Sequence, residues 1–177
     1  SPATYTWTIG SPVDCDAANL TLTATADATV DESTPLDNFG NLTVVASTVR
    51  ANTVLDAAAC GGGLRNRGQL TLTGTIIEQN QAPNGAGLCS NVTLSLASTV
   101  VRSNTATAAA GGLLAESGGN ANITGSTFRD NRAASDAAGI VNAAAMTIDA
   151  SAVVKNMSTG IAGGIYNTGQ LTVRSST

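Results

Sequence analysis

Apolar and polar residues alternate along this chain in short segments that recur about every 25 residues. In each segment two aliphatic residues stand two positions apart with a polar residue between them, as in Leu70-Thr71-Leu72. Alternation with a period of two is typical of a β-strand that buries one face. The first aliphatic position is occupied in turn by Leu20, Leu42, Leu70, Leu94, Ala121, Met146 and Leu171. This column predicts a ladder of core side chains contributed by six to seven short strands.

An asparagine recurs ten residues after most of these aliphatic positions. The column consists of Asn52, Asn80, Asn104, Asn131 and Asn156, at intervals of 28, 24, 27 and 25 residues. Stacked asparagine side chains hydrogen-bond to the coils above and below, so their buried amides find partners. Asparagine also tolerates the left-handed backbone that a tight corner needs. The column therefore predicts a structural Asn ladder at a corner and requires no ligand.

A glycine followed by an aliphatic residue forms a third column, and this one precedes each strand. Its members are Gly63-Leu64, Gly87-Leu88, Gly112-Leu113, Gly139-Ile140 and Gly164-Ile165. The glycines permit another tight corner or a close approach of backbones. Helical repeats also have periods of this length, but the segments are rich in Thr, Val and Gly, which favours strands. The short Ala-rich stretches 57–59 and 106–110 are predicted to be loops.

Two motifs carry a family resemblance. The segment Phe128-Arg129-Asp130-Asn131 matches Phe-x-x-Asn, and Gly111-Gly112-Leu113 and Gly163-Gly164-Ile165 match Gly-Gly-Ala-aliphatic loosely. The repeats resemble the right-handed parallel β-helix passenger repeats of bacterial surface proteins, of the polymorphic outer-membrane-protein type. The segment 163–173 is also similar to large repeat-rich surface proteins of environmental bacteria. The resemblance covers residues 36–177 and implies export and display at the cell surface.

The predicted fold class is therefore all-β, a single-stranded right-handed parallel β-helix (β-solenoid) of six to seven coils of roughly 25 residues. Residues 1–35 are predicted to form an irregular N-terminal strand and a first coil or cap. Residues 36–177 are predicted to form the regular repeats, continuous with the first segment in one domain. The last coil is expected to stop before its Asn corner, because Ser175-Ser176-Thr177 aligns with Ala46-Ser47-Thr48.

Composition removes several functions. The chain has no His, which excludes a His-based triad and a His-ligated metal. Its formal net charge is −4 with 8 basic residues, so no nucleic-acid partner is expected. The chain contains no run of 18 apolar residues, so we expect no membrane-spanning helix. The chain starts at Ser1 without a Met, which fits a removed signal peptide and equally an excised fragment; we expect a secreted or cell-surface location.

Candidate catalytic and metal-binding groups lack the spacing that their chemistry needs. The carboxylates scatter over different columns, whereas glycoside hydrolysis needs a facing pair. Arg50, Arg102 and Arg129 share one column with Glu78 between them, which favours an exposed charge ladder over a catalytic arginine. An N-terminal calcium site is an alternative to solvated charges for Asp14, Asp16, Asp27, Asp31 and Glu32. We expect no enzyme activity, no cofactor and no metal.

A Thr-rich outward column is a further candidate. It consists of Thr43, Thr71, Ser95, Asn122, Thr147 and Thr172. Ice binding would need a second regular column beside it, and the neighbouring column is irregular. Thr as a good outward strand former is therefore favoured.

The three cysteines are Cys15, Cys60 and Cys89, without a C-x-x-C spacing for zinc. Cys15 and Cys89 fall in one column three coils apart, about 14 Å. That separation exceeds the roughly 7 Å that a disulfide spans between Cα atoms. A Cys60–Cys89 disulfide is favoured if the loop that carries Cys60 folds back, which leaves Cys15 free or bridging two subunits.

The two ends suggest how the chain functions. An open coil exposes unpaired backbone and an apolar cross-section. Either the chain is part of a longer solenoid, or the next copy covers the open coil, with Tyr5-Thr6-Trp7-Thr8-Ile9 as a complementary strand. The residues predicted to make the end-to-end contact are Tyr5, Trp7, Ile9, Val173 and Ser175.

We therefore expect a non-enzymatic structural protein whose partner is itself, in a head-to-tail homopolymer. The alternative is an adhesin passenger segment that binds a host or matrix partner, such as a surface receptor or a polysaccharide. A carbohydrate-active β-helix enzyme is the third candidate.

Overall fold

The computed structural model describes residues 19–23, 29–30 and 36–177, with side chains described for residues 36–177. Within these ranges the chain forms short strands and turns and contains no helix. Every paired strand is parallel to its neighbour, and each neighbour belongs to the adjacent coil. The chain is thus a parallel β-solenoid of about 6 turns of roughly 25 residues, which confirms the predicted fold class at this level.

Sheet A contains the longest strands, five residues from each coil. Its strands are β1 (Asn19–Thr23), β4 (Asn41–Val45), β7 (Gln69–Thr73), β11 (Thr93–Ala97), β15 (Asn120–Thr124), β19 (Ala145–Asp149) and β23 (Gln170–Arg174). The register pairs Leu20 with Leu42 and Leu42 with Leu70, as the aliphatic column predicts. Residues at the second and fourth positions of β4 to β19 are buried, so this sheet supplies one wall of the core.

Sheet B follows sheet A in each coil and has shorter strands. Its strands are β2 (Thr29–Val30), β5 (Thr48–Arg50), β8 (Ile76–Glu78), β12 (Val100–Arg102), β16 (Thr127–Arg129) and β20 (Ala152–Val154). The middle residue of each strand from β5 to β16 points into the core, and Phe128 is the largest of these side chains. The flanking residues form two outward columns.

Two further sheets complete the coil. Sheet D consists of the two-residue strands β9 (Gln81–Ala82), β13 (Thr105–Ala106), β17 (Arg132–Ala133) and β21 (Met157–Ser158). Sheet C consists of β3 (Leu36–Asn38), β6 (Leu64–Asn66), β10 (Leu88–Ser90), β14 (Leu113–Ala115), β18 (Ile140–Asn142) and β22 (Ile165–Asn167). The chain therefore passes through sheets A, B, D and C in that order and returns to sheet A one coil further on.

The core is an aliphatic column between sheets A, B and C, with one aromatic ring at Phe128. Each coil buries its apolar side chains only against the coils before and after it. Stability in such a fold is approximately a sum of coil terms and nearest-neighbour interface terms. Among the described residues the last coil packs only on the coil before it, and its Val153, Ile165 and Leu171 are partly buried.

The loops between sheets D and C fold over the outer face of sheet C. The outward residues Cys89, Leu114, Val141 and Tyr166 lie in register on this face. Alanines of the covering loops, among them Ala110 and Ala137, are fully buried there. The predicted stretches 57–59 and 106–110 are therefore loops, except that Ala106 ends β13. Ala109 and Ala110 of the second stretch belong to a small apolar layer outside sheet C, whereas 57–59 does not.

The expected left-handed conformation of the ladder asparagines was wrong. The residue before each asparagine has the positive φ instead: Ala51, Gln79, Ser103, Asp130 and Lys155, with φ between 54 and 58°. The asparagine turns its side chain inward to reach the next coil, so the chain makes its corner one residue earlier. Because these corner side chains point to solvent, residues of many types occupy the position.

Candidate functional site

The Asn ladder links successive coils through two hydrogen bonds at each step. In the step from Asn80 to Asn104, the Oδ1 of Asn104 accepts the backbone N–H and the Nδ2–H of Asn80, both at 3.0 Å. The second Nδ2–H of Asn80 donates to the Val49 carbonyl at 3.1 Å. Asn52, Asn80, Asn104 and Asn131 are fully buried. The amides bond within the fold, which gives the ladder the structural role that its spacing predicts.

A second ladder of hydroxyl groups lies at the corner between sheets A and B, and the sequence analysis missed it. Its buried members are Ser47, Thr75, Thr99, Ser126 and Ser151, with Ser176 continuing it. The Oγ of Ser126 accepts the backbone N–H of Thr99 at 3.1 Å, and the Oγ of Ser151 accepts that of Ser126 at 3.0 Å. Each of the five buried members stands five positions before a ladder asparagine, and that spacing was the signal available in the sequence.

A third, interrupted ladder lies at the corner between sheets C and A. Asn38 donates to Asn66 at 2.8 Å, and Asn66 donates to the Ser90 hydroxyl at 2.9 Å. The ladder resumes where Asn142 donates to Asn167 at 2.7 Å. Three of the four corners therefore carry buried polar side chains that fix the register of the coils.

Cys60 and Cys89 form a disulfide with their Cα atoms 5.7 Å apart. This is the pair that the sequence favours, and the loop that carries Cys60 does fold back onto sheet C. The two sulfur atoms and a Glu116 carboxylate oxygen lie within 4.8 Å of one another. Metal-binding cysteines are thiolates, so the disulfide takes both sulfurs out of a metal site. Cys15 lies outside the described residues.

The exposed end of the last coil carries a mainly apolar opening. A hollow of about 140 Å³ is lined there by Ile148, Val153, Gly164, Ile165, Val173, Ser176 and Thr177. Val173 is 50% exposed, whereas its register partner Ile148 in the preceding coil is 1% exposed. We call this surface the end face. It is the cross-section that every inner coil buries against its neighbour.

Of the five residues predicted to make the end-to-end contact, two lie within the described part of the chain. Val173 lies on the end face, and Ser175 lies beside it at the sheet A to sheet B corner, with φ 47°. Tyr5, Trp7 and Ile9 lie outside the described residues. The acidic residues considered for calcium, at positions 14, 16, 27, 31 and 32, lie outside them as well.

The Arg and Glu column follows the predicted register on sheet B. Glu78 is the Cα partner of both Arg50 and Arg102. Its carboxylate accepts a hydrogen bond from Arg102 Nε at 2.7 Å and lies 2.6 Å from Nη2. The next residue in the column, Arg129, lies 2.5 Å from Asp130. The column is a partly exposed charge ladder, as predicted.

The remaining described carboxylates are distributed around the coil. Asp149 lies on sheet A, Asp37 on sheet C and Glu116 just after β14. Asp56 and Asp136 lie in loops that lead to sheet C. The four-sheet topology thus places these side chains on different faces.

Comparisons of this chain with protein-family models, with curated proteins and with solved structures find no match. In the described ranges no helix has the length and apolar character needed to cross a membrane.

Proposed function

We propose that this chain is a non-enzymatic structural subunit that stacks head to tail into a β-solenoid fibre outside the cell or on its surface. The extracellular location rests on the resemblance to polymorphic outer-membrane-protein repeats, and the Cys60–Cys89 disulfide supports it because disulfides persist in oxidising compartments. The main support for stacking comes from the end face.

The end face exposes to solvent the positions that form the core in the inner coils. It exposes Val173 and leaves Val153, Ile165 and Leu171 half-covered, although the same columns are dry in the inner coils. The outer edge of β23 is open in the described structure, because this strand pairs only with β19. Burying apolar side chains and pairing an open strand edge both favour association. A further coil placed on this surface would continue the aliphatic column, the Asn ladder and the hydroxyl ladder.

A second copy of the chain is the occupant that fits best. Strands β1 and β23 are the outermost described strands of sheet A, and they run in the same direction. A translation along the solenoid axis therefore brings the N-terminal part of one copy onto the end face of another with parallel pairing. We assign the covering role to the first coil, together with the alternating segment that contains Tyr5, Trp7 and Ile9.

The charges of the two ends are complementary. Residues 1–35 contain five acidic residues and no Lys or Arg. Residues 150–177 contain Lys155 and Arg174 and no Asp or Glu. Opposite charges on the two ends steer the N-terminal end of one copy toward the C-terminal end of another. Two identical ends carry like charges, which disfavour their contact. This pattern supports a head-to-tail contact, which does not close and so produces a fibre.

Sedimentation velocity of the purified chain over a wide concentration range tests the proposal. We expect large assemblies that grow with concentration, and we expect Val173→Asp to abolish them because it places a charge on the end face. Thr172→Asp is the matched control, since Thr172 lies on the same strand and points to solvent. A monomer at all concentrations, or equal assembly of both variants, would rule out stacking through this face.

A further inference from the structure

Five of the eight basic residues of this acidic chain lie along one edge of the solenoid. This edge is the turn from sheet B into sheet D, and its basic residues are Arg50, Arg102, Arg129, Arg132 and Lys155. We call it the basic edge. The cations are close together over the last three coils, because Arg102 and Arg129 are Cα partners. The neighbouring residues Arg132 and Lys155 belong to the same corner.

The basic edge is only partly neutralised. Glu78 pairs with Arg102 and Asp130 pairs with Arg129. Among the described residues, Arg50, Arg132 and Lys155 form no ion pair within 4 Å. Like charges directly opposite each other on paired strands destabilise a sheet. The stacking of Arg102 on Arg129 therefore brings the fold no stability of its own. Since both of these arginines have carboxylate partners, the attraction of the basic edge for anions comes from Arg50, Arg132 and Lys155.

A shallow groove of about 230 Å³ runs beside this edge across sheet D. Its lining includes Thr105, Arg132, Met157 and Thr159, with Ala133 and Ala134 between them. The Nη1 of Arg132 lies 3.7 Å from the Met157 sulfur, which is a weak acceptor. Met157 itself is 53% exposed. The groove thus combines an unneutralised guanidinium, two hydroxyl groups and apolar surface that is accessible to solvent.

We propose that the basic edge and the sheet D groove bind an acidic polysaccharide, a chain of uronate sugars lying along the solenoid axis. A guanidinium binds a carboxylate through two parallel hydrogen bonds, so Arg132 holds a uronate carboxylate. The Thr105 hydroxyl binds a sugar hydroxyl. The Thr159 hydroxyl, which donates to the Ala134 carbonyl at 2.7 Å, accepts from another, and Met157 packs against the apolar face of a sugar ring. Lys155, in the next coil, then meets the carboxylate of a neighbouring sugar. This inference is independent of fibre formation.

The groove composition favours a sugar acid over a nucleic acid. Single-stranded nucleic acids are held by aromatic side chains that stack on the bases. Neither the basic edge nor the groove lining contains an aromatic residue. A partner with one carboxylate per sugar and many hydroxyl groups matches both the charge and the hydrogen-bonding groups.

Biolayer interferometry with immobilised polygalacturonate tests the proposal, with neutral dextran and a single-stranded DNA oligonucleotide as comparison surfaces. We expect binding to polygalacturonate that salt weakens. Arg132→Gln should weaken it roughly tenfold, since it removes a charge-assisted hydrogen-bond pair. Arg65→Gln, the same substitution on sheet C, should leave the affinity unchanged. Thermal melting of both variants establishes that they are folded.

Three outcomes would overturn the proposal. The first is no binding to polygalacturonate, or binding to dextran of equal strength. The second is an equal loss of affinity in the Arg132 and Arg65 variants, which would indicate a general charge effect. The third is equal or tighter binding of the DNA oligonucleotide, which would identify the edge as a nucleic-acid surface.

Discussion

Asn104 and Asn131 are joined by two hydrogen bonds to a single acceptor atom. The Oδ1 of Asn131 accepts the backbone N–H of Asn104 at 3.1 Å and its Nδ2–H at 3.0 Å. The other Nδ2–H of Asn104 donates to the Ile77 carbonyl at 3.1 Å. One buried amide thus ties together three consecutive coils. Since both residues are fully buried, no water replaces these bonds if the amide is removed.

The first prediction concerns this ladder. Asn104→Leu should lower the free energy of unfolding by about 3 kcal/mol, because it leaves two buried N–H groups of Asn80 without partners and removes a hydrogen bond to the Ile77 carbonyl. Chemical unfolding followed by circular dichroism measures the change. Asn122→Leu is the control, since Asn122 is exposed on sheet A. Equal stability of the Asn104 variant and the native chain would contradict the structural role of the ladder.

The second prediction uses the glycine column. In Gly112→Ala the new methyl group would overlap the Gly139 carbonyl oxygen and lie 3.1 Å from Phe128 Cδ1. We expect a loss of about 1–3 kcal/mol in the free energy of unfolding, as for other overpacked cores. At Gly164, in the same column of the last coil, the nearest atom to an added Cβ is Val153 Cγ1 at 4.0 Å.

The comparison of these two glycines separates folding from stacking. Gly164→Ala should fold with native stability, yet it should weaken assembly because its methyl group points at the next copy. Melting temperature and sedimentation of the two variants measure both effects. If Gly164→Ala assembles like the native chain, the next copy does not approach the end face as closely as one coil approaches another.

The third prediction concerns the disulfide. Cys60 and Cys89 close a loop with a sequence separation of 29, and opening a loop of this size costs about 3.6 kcal/mol of stability. The melting temperature should therefore fall when a reducing agent is added. The double variant Cys60→Ala, Cys89→Ala, which keeps Cys15, should not respond to the reducing agent. A response of the double variant would show that another cysteine contact stabilises the chain.

Much of the fold could be predicted because every coil repeats the same physical requirements. Leu70 and Leu94 become neighbours through their position in a column, and no long-range inference is needed. The Asn column was recognisable since asparagine is otherwise costly in a buried strand end. The hydroxyl ladder was harder to see, because Thr99 and Ser126 are of the same types as the many exposed hydroxyl residues on sheet A.

The candidate binding surfaces could not be predicted in the same way. The left-handed corner accepts Ala51, Gln79 and Lys155 alike, so composition gives no signal there. The sheet D groove arises because the two-residue strands β13, β17 and β21 place Arg132 between Thr105 and Met157. Each of these three residues directly follows a ladder asparagine, so their register was contained in the Asn column. Their residue types differ from coil to coil, and the column therefore gave no signal of a shared binding surface.

Electron microscopy of the concentrated, non-reduced chain tests head-to-tail stacking most directly. We predict unbranched fibres one solenoid wide, with an axial repeat of about 30 Å from six to seven coils spaced about 4.8 Å apart. Val173→Asp should give single short rods under the same conditions, while Thr172→Asp should form fibres. Single short rods of the native chain, or fibres of the Val173 variant with the same repeat, would contradict stacking through the end face.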